Sequence, residues 1–230
     1  MNKPPGKTNI MCKYNNVIFD FDSTLIRFES LELVMAELLQ GDQSKIQQIE
    51  ILTNAGMNGE MSFRDSLEAR LKVAKPTKAA LNAFVAQHCP DALTVGVKKL
   101  IEQLHQQDVK VWIISGGFSE LILPFAEYLG IPASRVFTVN LHWDDKGYFD
   151  CLNNDNGFCD SKVTGAAKIQ DQLAGKTVIV GDGFTDYELY NAGIANDFIA
   201  YVEHVQRDKV LSVAKLCAKN IDELSTLIGN

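Results

Sequence analysis

Long apolar runs are missing from this chain of 230 residues. None approaches the roughly 20 residues that a membrane-spanning helix needs, so no membrane partner is expected. Residues 1–13 lack the continuous apolar stretch of a secretion signal and carry Pro4, Pro5 and Gly6, which reads as a loose tail. Basic residues are in deficit, 22 Lys and Arg against 29 Asp and Glu, for a net charge of −7. Such an acidic balance disfavours nucleic acid as a partner. The five cysteines are odd in number, widely spaced and without a CxxC pair. That argues against a disulfide framework or a zinc site, and for reduced thiols in a cytoplasmic protein. The four histidines show no ligand spacing, GxGxxG is absent, and no repeat interrupts the chain.

What is present is a 46% hydrophobic composition, enough for a sizeable core. Residues 16–20 form a short apolar run that ends in acid, the pattern of a buried strand. Helical spacing then recurs over about 31–39, 44–53, 62–73 and 77–88, with no strand between. Ser62 with Asp65 resembles a capping box, and Pro76-Thr77 suits a helix start. From about residue 95, helices alternate with strands at 109–114, 135–143, 177–180 and 198–202, and helices close the chain. Pro124 falls inside the helix expected over 119–128, where it should kink the helix or shift its start. Asp144 to Gly147 reads as a hairpin turn. Alternation of this kind predicts a Rossmann-like parallel sheet with helices on both faces. The helical block 30–90 is then an inserted cap, and 14–29 with 91–230 make up the α/β core.

Three of the apolar strands end in polar residues: Asp20-Phe-Asp22, Ser115-Gly116-Gly117 and Gly181-Asp182-Gly183-Phe184-Thr185-Asp186. In an open parallel sheet, ligands bind outside the carboxyl ends of the strands, so the three should converge. Asp20, Asp22, Asp182 and Asp186 together suit a hard divalent cation, Mg²⁺ by preference. Ser115, expected where a strand gives way to a helix, offers its hydroxyl and the amides of Gly116 and Gly117 to phosphate oxygens. Lys162 opens another helix and offsets negative charge. Such a site fits in-line phosphoryl transfer: Asp20 attacks phosphorus, Asp22 delivers a proton to the leaving oxygen and then activates water, and the cations stabilise spread charge. Each piece alone has a plain structural reading, as a solvated turn, a helix cap or a surface charge.

Taken in order, Asp20-Phe-Asp-Ser-Thr, Ser115-Gly-Gly, Lys162 and Gly181-Asp-Gly-Phe-Thr-Asp186 resemble the four motifs of the haloacid dehalogenase superfamily, and most closely its phosphoserine phosphatase group. The resemblance runs from about residue 14 to the C-terminus. It implies a Mg²⁺-dependent hydrolysis of L-phosphoserine by way of an aspartyl-phosphate, a step of serine biosynthesis. It also implies that Glu29 meets the substrate's ammonium group, that Arg70 binds its carboxylate, and that Met57 and Phe63 line the pocket, with Thr185 in the fourth motif. The chemistry is apt, because Arg grips a carboxylate with two hydrogen bonds. The Lys162 region lacks the group's common Gly-Lys-Gly, which leaves Lys168 as a competitor. Relatives of this group are often homodimers. Another small phosphate ester, transfer to an alcohol acceptor, and a catalytically silent binding protein stand as rival readings.

Overall fold

A computed structural model of the chain describes residues 11–57 and 60–229, so the expected tail lies outside the described residues up to residue 10. The first strand is β1 (Asn16–Phe19), whose four residues are all buried. Four helices follow before any further strand: α1 (Ser30–Leu38), α2 (Gln43–Met57), α3 (Phe63–Ala74) and α4 (Lys78–His88). Helix α5 (Val97–His105), β2 (Lys110–Phe118), α6 (Ser119–Tyr128) and β3 (Val136–Val139) begin the alternation. A hairpin of β4 (Leu141–Trp143) and β5 (Phe149–Leu152) comes next, then α7 (Lys162–Ala167), β6 (Thr177–Gly181), α8 (Phe184–Asn191) and β7 (Asp197–Tyr201). The chain closes with α9 (Asp208–Leu211), β8 (Leu216–Ala218) and α10 (Ile221–Gly229).

Six strands form one parallel sheet in the order β3-β2-β1-β6-β7-β8. The strand order reverses between β1 and β6, which is where an open α/β sheet holds its ligand. Near-continuous Val and Ile runs in β1, β2 and β6 bury both faces of these strands, as a sheet covered on two sides requires. Each such side chain contributes about 1.5–3 kcal/mol on burial.

The long strand expected over 135–143 is two strands. β3 pairs with β2 in the main sheet, while β4 turns out of it to pair with β5. The helix expected from Lys162 to residue 173 stops at Ala167, and a single 3₁₀ turn covers Gln170–Gln172. Three-residue β8 had no sequence signal beyond a short apolar run.

Local caps explain the starts of α3 and α4. Ser62 Oγ accepts from Asp65 N at 3.0 Å, and Thr77 Oγ1 accepts from Ala80 N at 3.1 Å. The Asp65 carboxylate takes the Ser62 hydroxyl proton at 2.7 Å, a shorter version of the reciprocal box. At the other end, α6 carries Pro124 within it and gives way to Gly130 at φ +72°, a conformation that favours glycine.

Two strips of chain connect the helical block to the sheet, and they lie side by side. Ile26 bridges Leu93 antiparallel, Arg27 N donates to Ala92 O at 3.1 Å, and Thr94 N donates to Leu25 O at 2.9 Å. On the other flank the β4–β5 hairpin holds the block: Lys78 N donates to Gly147 O and Phe149 N to Pro76 O.

Candidate active site

Asp20 follows β1 directly, and its backbone N–H donates to Val180 O of β6 at 2.9 Å. This bond sets it beside Asp182, which follows β6. Asp20 Oδ1 accepts from Phe21 N at 2.7 Å and lies 2.8 Å from Lys162 Nζ. Oδ2 has no partner among the described residues. The next residues form a tight turn, Phe21–Leu25, in which Ser23 takes φ +51°. A left-handed, buried serine is a costly choice that clusters at functional sites. Here it aims Ser23 Oγ at Glu29 Oε1, 2.8 Å away.

Asp20, Asp182 and Asp186 are buried, and one carboxylate oxygen from each lies within 4.8 Å of the others. Three buried carboxylates repel unless a cation lies among them. The donors are all hard oxygens, so the residues fit a hard divalent cation. Asp22, expected as a fourth ligand, is not in this cluster. Its Oδ1 instead accepts from Ser30 N, the first amide of α1, at 3.0 Å. The reason is local: Asp22 keeps extended backbone (φ −65°, ψ 141°), but it sits within the Phe21–Leu25 turn, which brings its side chain to the start of α1. Dense surroundings push the Asp22 carboxyl well above the usual range, and nearby Glu29 and Asp20 add to the effect. A carboxyl so raised is suited to start as a proton donor.

Lys162, not Lys168, stands at the carboxylates. Burial alone would lower the Lys162 pKa, but Asp186 at 2.7 Å and Asp20 reverse that and raise it, keeping the ammonium charged. Lys168 donates to Asp155 O on an outer loop. Asp186 has both oxygens engaged, Oδ1 with Lys162 and Oδ2 with Gly183 N at 3.0 Å. It therefore acts first as the partner that places Lys162.

Ser115 is buried but does not stand at a helix start. β2 runs on to Phe118 and α6 begins only at Ser119. Its pairing with β3 breaks between Ile114 and Phe118, so Ser115-Gly116-Gly117 occupies an irregular stretch of strand. Gly117 N donates to Ser115 Oγ at 3.0 Å. A Cβ on Gly117 would fall 3.6 Å from Asp22 Oδ2, and one on Gly116 would fall 3.5 Å from the Phe63 ring. Phe63, on α3, thus reaches over the strand end from the helical block. Thr185 lies exposed in the first turn of α8. Met57 ends α2, and its side chain lies outside the described residues.

Arg70 is the unusual charge of the helical block. Its side chain is 9% exposed and, among the described residues, has one ionic neighbour, Glu32 Oε1 at 3.7 Å. Its Nε is buried without a hydrogen-bond partner among the described residues. Desolvation lowers its pKa, only partly offset by Glu32. It lines a cavity of about 360 Å³ with Met35, Leu39, Ile46 and Ile49. A buried guanidinium with unused donors is costly unless an anion meets it.

Arg207 was not singled out from sequence. Its Nε donates to Asp182 Oδ2 at 3.0 Å and its Nη2 to Glu29 Oε1 at 3.1 Å. The loop after β7 is itself a strand carboxyl end, and that placement was the available signal.

Known proteins of similar sequence and fold point to one family. The haloacid dehalogenase-like hydrolase profile matches residues 17–191. Phosphoserine phosphatase of Drosophila melanogaster is 32% identical, over 90% of this chain and 76% of its own length. The Rattus norvegicus phosphoserine phosphatase is 30% identical, over 94% of this chain and 93% of its own. Among solved structures, a phosphoserine phosphohydrolase-like protein from Francisella tularensis subsp. tularensis SCHU S4 is 48% identical with a TM-score of 0.87, covering 93% of this chain and 99% of that one. Because the profile spans most of its length and relatives align nearly end to end, this chain belongs to the haloacid dehalogenase-like hydrolase family.

Proposed function

We propose that the protein hydrolyses O-phospho-L-serine to L-serine and phosphate, with Mg²⁺ as its cation and a phosphoryl group carried on Asp20. One observation carries the catalytic reading. Asp20 has one oxygen pinned by Phe21 N and the Lys162 ammonium, its other oxygen has no partner among the described residues, and its carboxylate lies beside those of Asp182 and Asp186. Named relatives that act on phosphoserine, aligned over most of their lengths, support the substrate.

In this reading an Asp20 oxygen attacks phosphorus in line and the ester P–O bond breaks. Asp22 gives its proton to the serine alkoxide. It then takes a proton from the water that cleaves the Asp20–phosphorus bond. Lys162, Ser115 Oγ and the amide of Gly116 face the charge that spreads over the phosphoryl oxygens, as does the amide of Gly117 once it leaves Ser115 Oγ, and Thr185 borders them. Asp20, Asp182 and Asp186 would hold Mg²⁺, which would supply charge neutralisation for the phosphoryl transfer. Glu29 receives the substrate ammonium and Arg70 its carboxylate, with Phe63 and Met57 as apolar walls. Residues 30–90 serve as a cap over a core of 14–29 and 91–230. A cytoplasmic homodimer completes the reading.

The test is phosphate release from a panel of phosphorylated metabolites, with Mg²⁺ and with chelator, for wild type and Asp20→Asn. Phosphoserine should lead by about tenfold or more over other small esters. Activity should vanish with chelator or with Asp20→Asn, and acid-quenched wild type should retain label from ³²P-phosphoserine on protein. Release that survives Asp20→Asn would sink the mechanism. Preference for a different ester would sink the assignment of Glu29 and Arg70 alone.

A further inference from the structure

Arg207 joins two carboxylates that belong to different parts of the molecule. Asp182 follows a core strand and sits in the buried cluster, whereas Glu29 directly precedes α1. The guanidinium reaches both with different nitrogens, at 3.0 and 3.1 Å. Glu29 Oε1 also accepts from the Ser23 hydroxyl, so among the described residues both donors fall on that oxygen and Oε2 is left for another cation.

The loop that carries Arg207 is anchored beside the two strips that lead into the helical block. Thr94 Oγ1 donates its proton to Thr24 O at 2.7 Å and lies 2.9 Å from His204 Nε2. With its proton committed, the hydroxyl accepts from His204, which sets the Nε2–H tautomer. The His204 ring packs edge-on to Tyr201 at the end of β7. Arg207 is thus presented from a held loop and spans the boundary between sheet and helical block.

We infer that Arg207 is a positioning residue with two effects. It fixes Glu29 where a substrate ammonium group meets it, and its permanent charge restrains the affinity of the Asp182 cluster for a divalent cation. The first effect depends on the forked geometry of a guanidinium, which two carboxylates can share. The second depends on charge alone, because a fixed cation 3.0 Å from a ligating carboxylate opposes a second cation there. The Glu29 half rests on the phosphoserine reading, but the cation half does not.

Two variants separate the effects. Arg207→Gln removes the charge, and Arg207→Lys keeps it but loses the fork. Mg²⁺ is titrated calorimetrically with no substrate present. Separately, KM is measured for O-phospho-L-serine and for the same ester lacking its amino group. In Arg207→Gln the Kd for Mg²⁺ should fall about threefold or more. The ratio of KM values, amino ester over deaminated ester, should rise about tenfold. Arg207→Lys should bring Kd back to near wild type while the raised ratio persists. Loosening of the fold would weaken Mg²⁺ binding, so the opposite sign marks the charge effect. An unchanged or raised Kd in Arg207→Gln overturns the cation half, and an unmoved ratio in both variants overturns the Glu29 half. If wild type itself ignores the amino group, the phosphoserine reading falls and Arg207 stands or falls on the Mg²⁺ titration. If Arg207→Gln does not fold, Arg207→Lys decides: an unmoved ratio there overturns the proposal.

Discussion

Lys162 Nζ lies 2.8 Å from Asp20 Oδ1 and 2.7 Å from Asp186 Oδ1, which makes it the cation that joins the first and last acidic motifs. Lys162→Met should therefore lower kcat by about 10²–10³, the scale for losing one preorganised charge at a developing anion. Lys168→Met should leave turnover near wild type, since among the described residues Lys168 donates to a loop carbonyl away from the carboxylates. Steady-state rates for the two variants check this, and equal loss in both would refute the assignment.

Gly181 has no room for a side chain, because a Cβ there would collide with the Asp186 carboxylate. Gly181→Ala should push Asp186 off Gly183 N and Lys162. Activity should drop about as far as in Lys162→Met, with a loss of about 1–3 kcal/mol in stability from overpacking. Parallel rate and denaturant-unfolding measurements read both effects.

Asp22 gives a pH signature. Its folded pKa is raised, while the unfolded chain titrates near the ordinary aspartate value of about 3.9. The folded state thus binds this proton more tightly, and its stabilising contribution is full below the unfolded pKa and lost as pH rises through the folded one. Asp22→Asn, which is neutral at every pH, should melt higher than wild type at pH 7–8 without metal. The gap should close as pH falls toward about 4. A gap that widens on acidification would contradict the buried-acid role.

Arg70 sets function against stability. With one loose ion pair and a buried, unpartnered Nε, its charge is a burden in the absence of an anion. Because its partner Glu32 is exposed and keeps its charge in water, Arg70→Met should be neutral or gain up to about 4 kcal/mol in stability, the range seen when buried ion pairs give way to apolar side chains. The same variant should raise KM for phosphoserine by about tenfold or more, while an aryl phosphate without a carboxylate loses much less. Equal loss on both esters would deny Arg70 its carboxylate.

The alternating architecture was legible because buried parallel strands are short Val and Ile runs, and β1, β2 and β6 all end in polar motifs. The helical block was legible from 3.6-residue spacing and from the Ser62 and Thr77 caps. Strand β8 was not, since three residues carry no period. The split of 135–143 into β3 and β4 was also hidden, because the turn out of the sheet answers to what β5 offers and not to propensity.

Sequence alone determined which side chains reach the carboxyl edge of the sheet, because parallel alternation and polar strand ends follow from local pattern. It marked out Asp20, Asp182 and Asp186 in that way. Tertiary structure alone decided which charges touch. It set Lys162 over Lys168, turned Asp22 away from the cluster to the Ser30 amide, left Arg70 buried with spare donors, and brought Arg207 across 25 residues to Asp182 and 178 to Glu29. Ion pairs of this kind depend on where loops end in space, and no period or propensity records that.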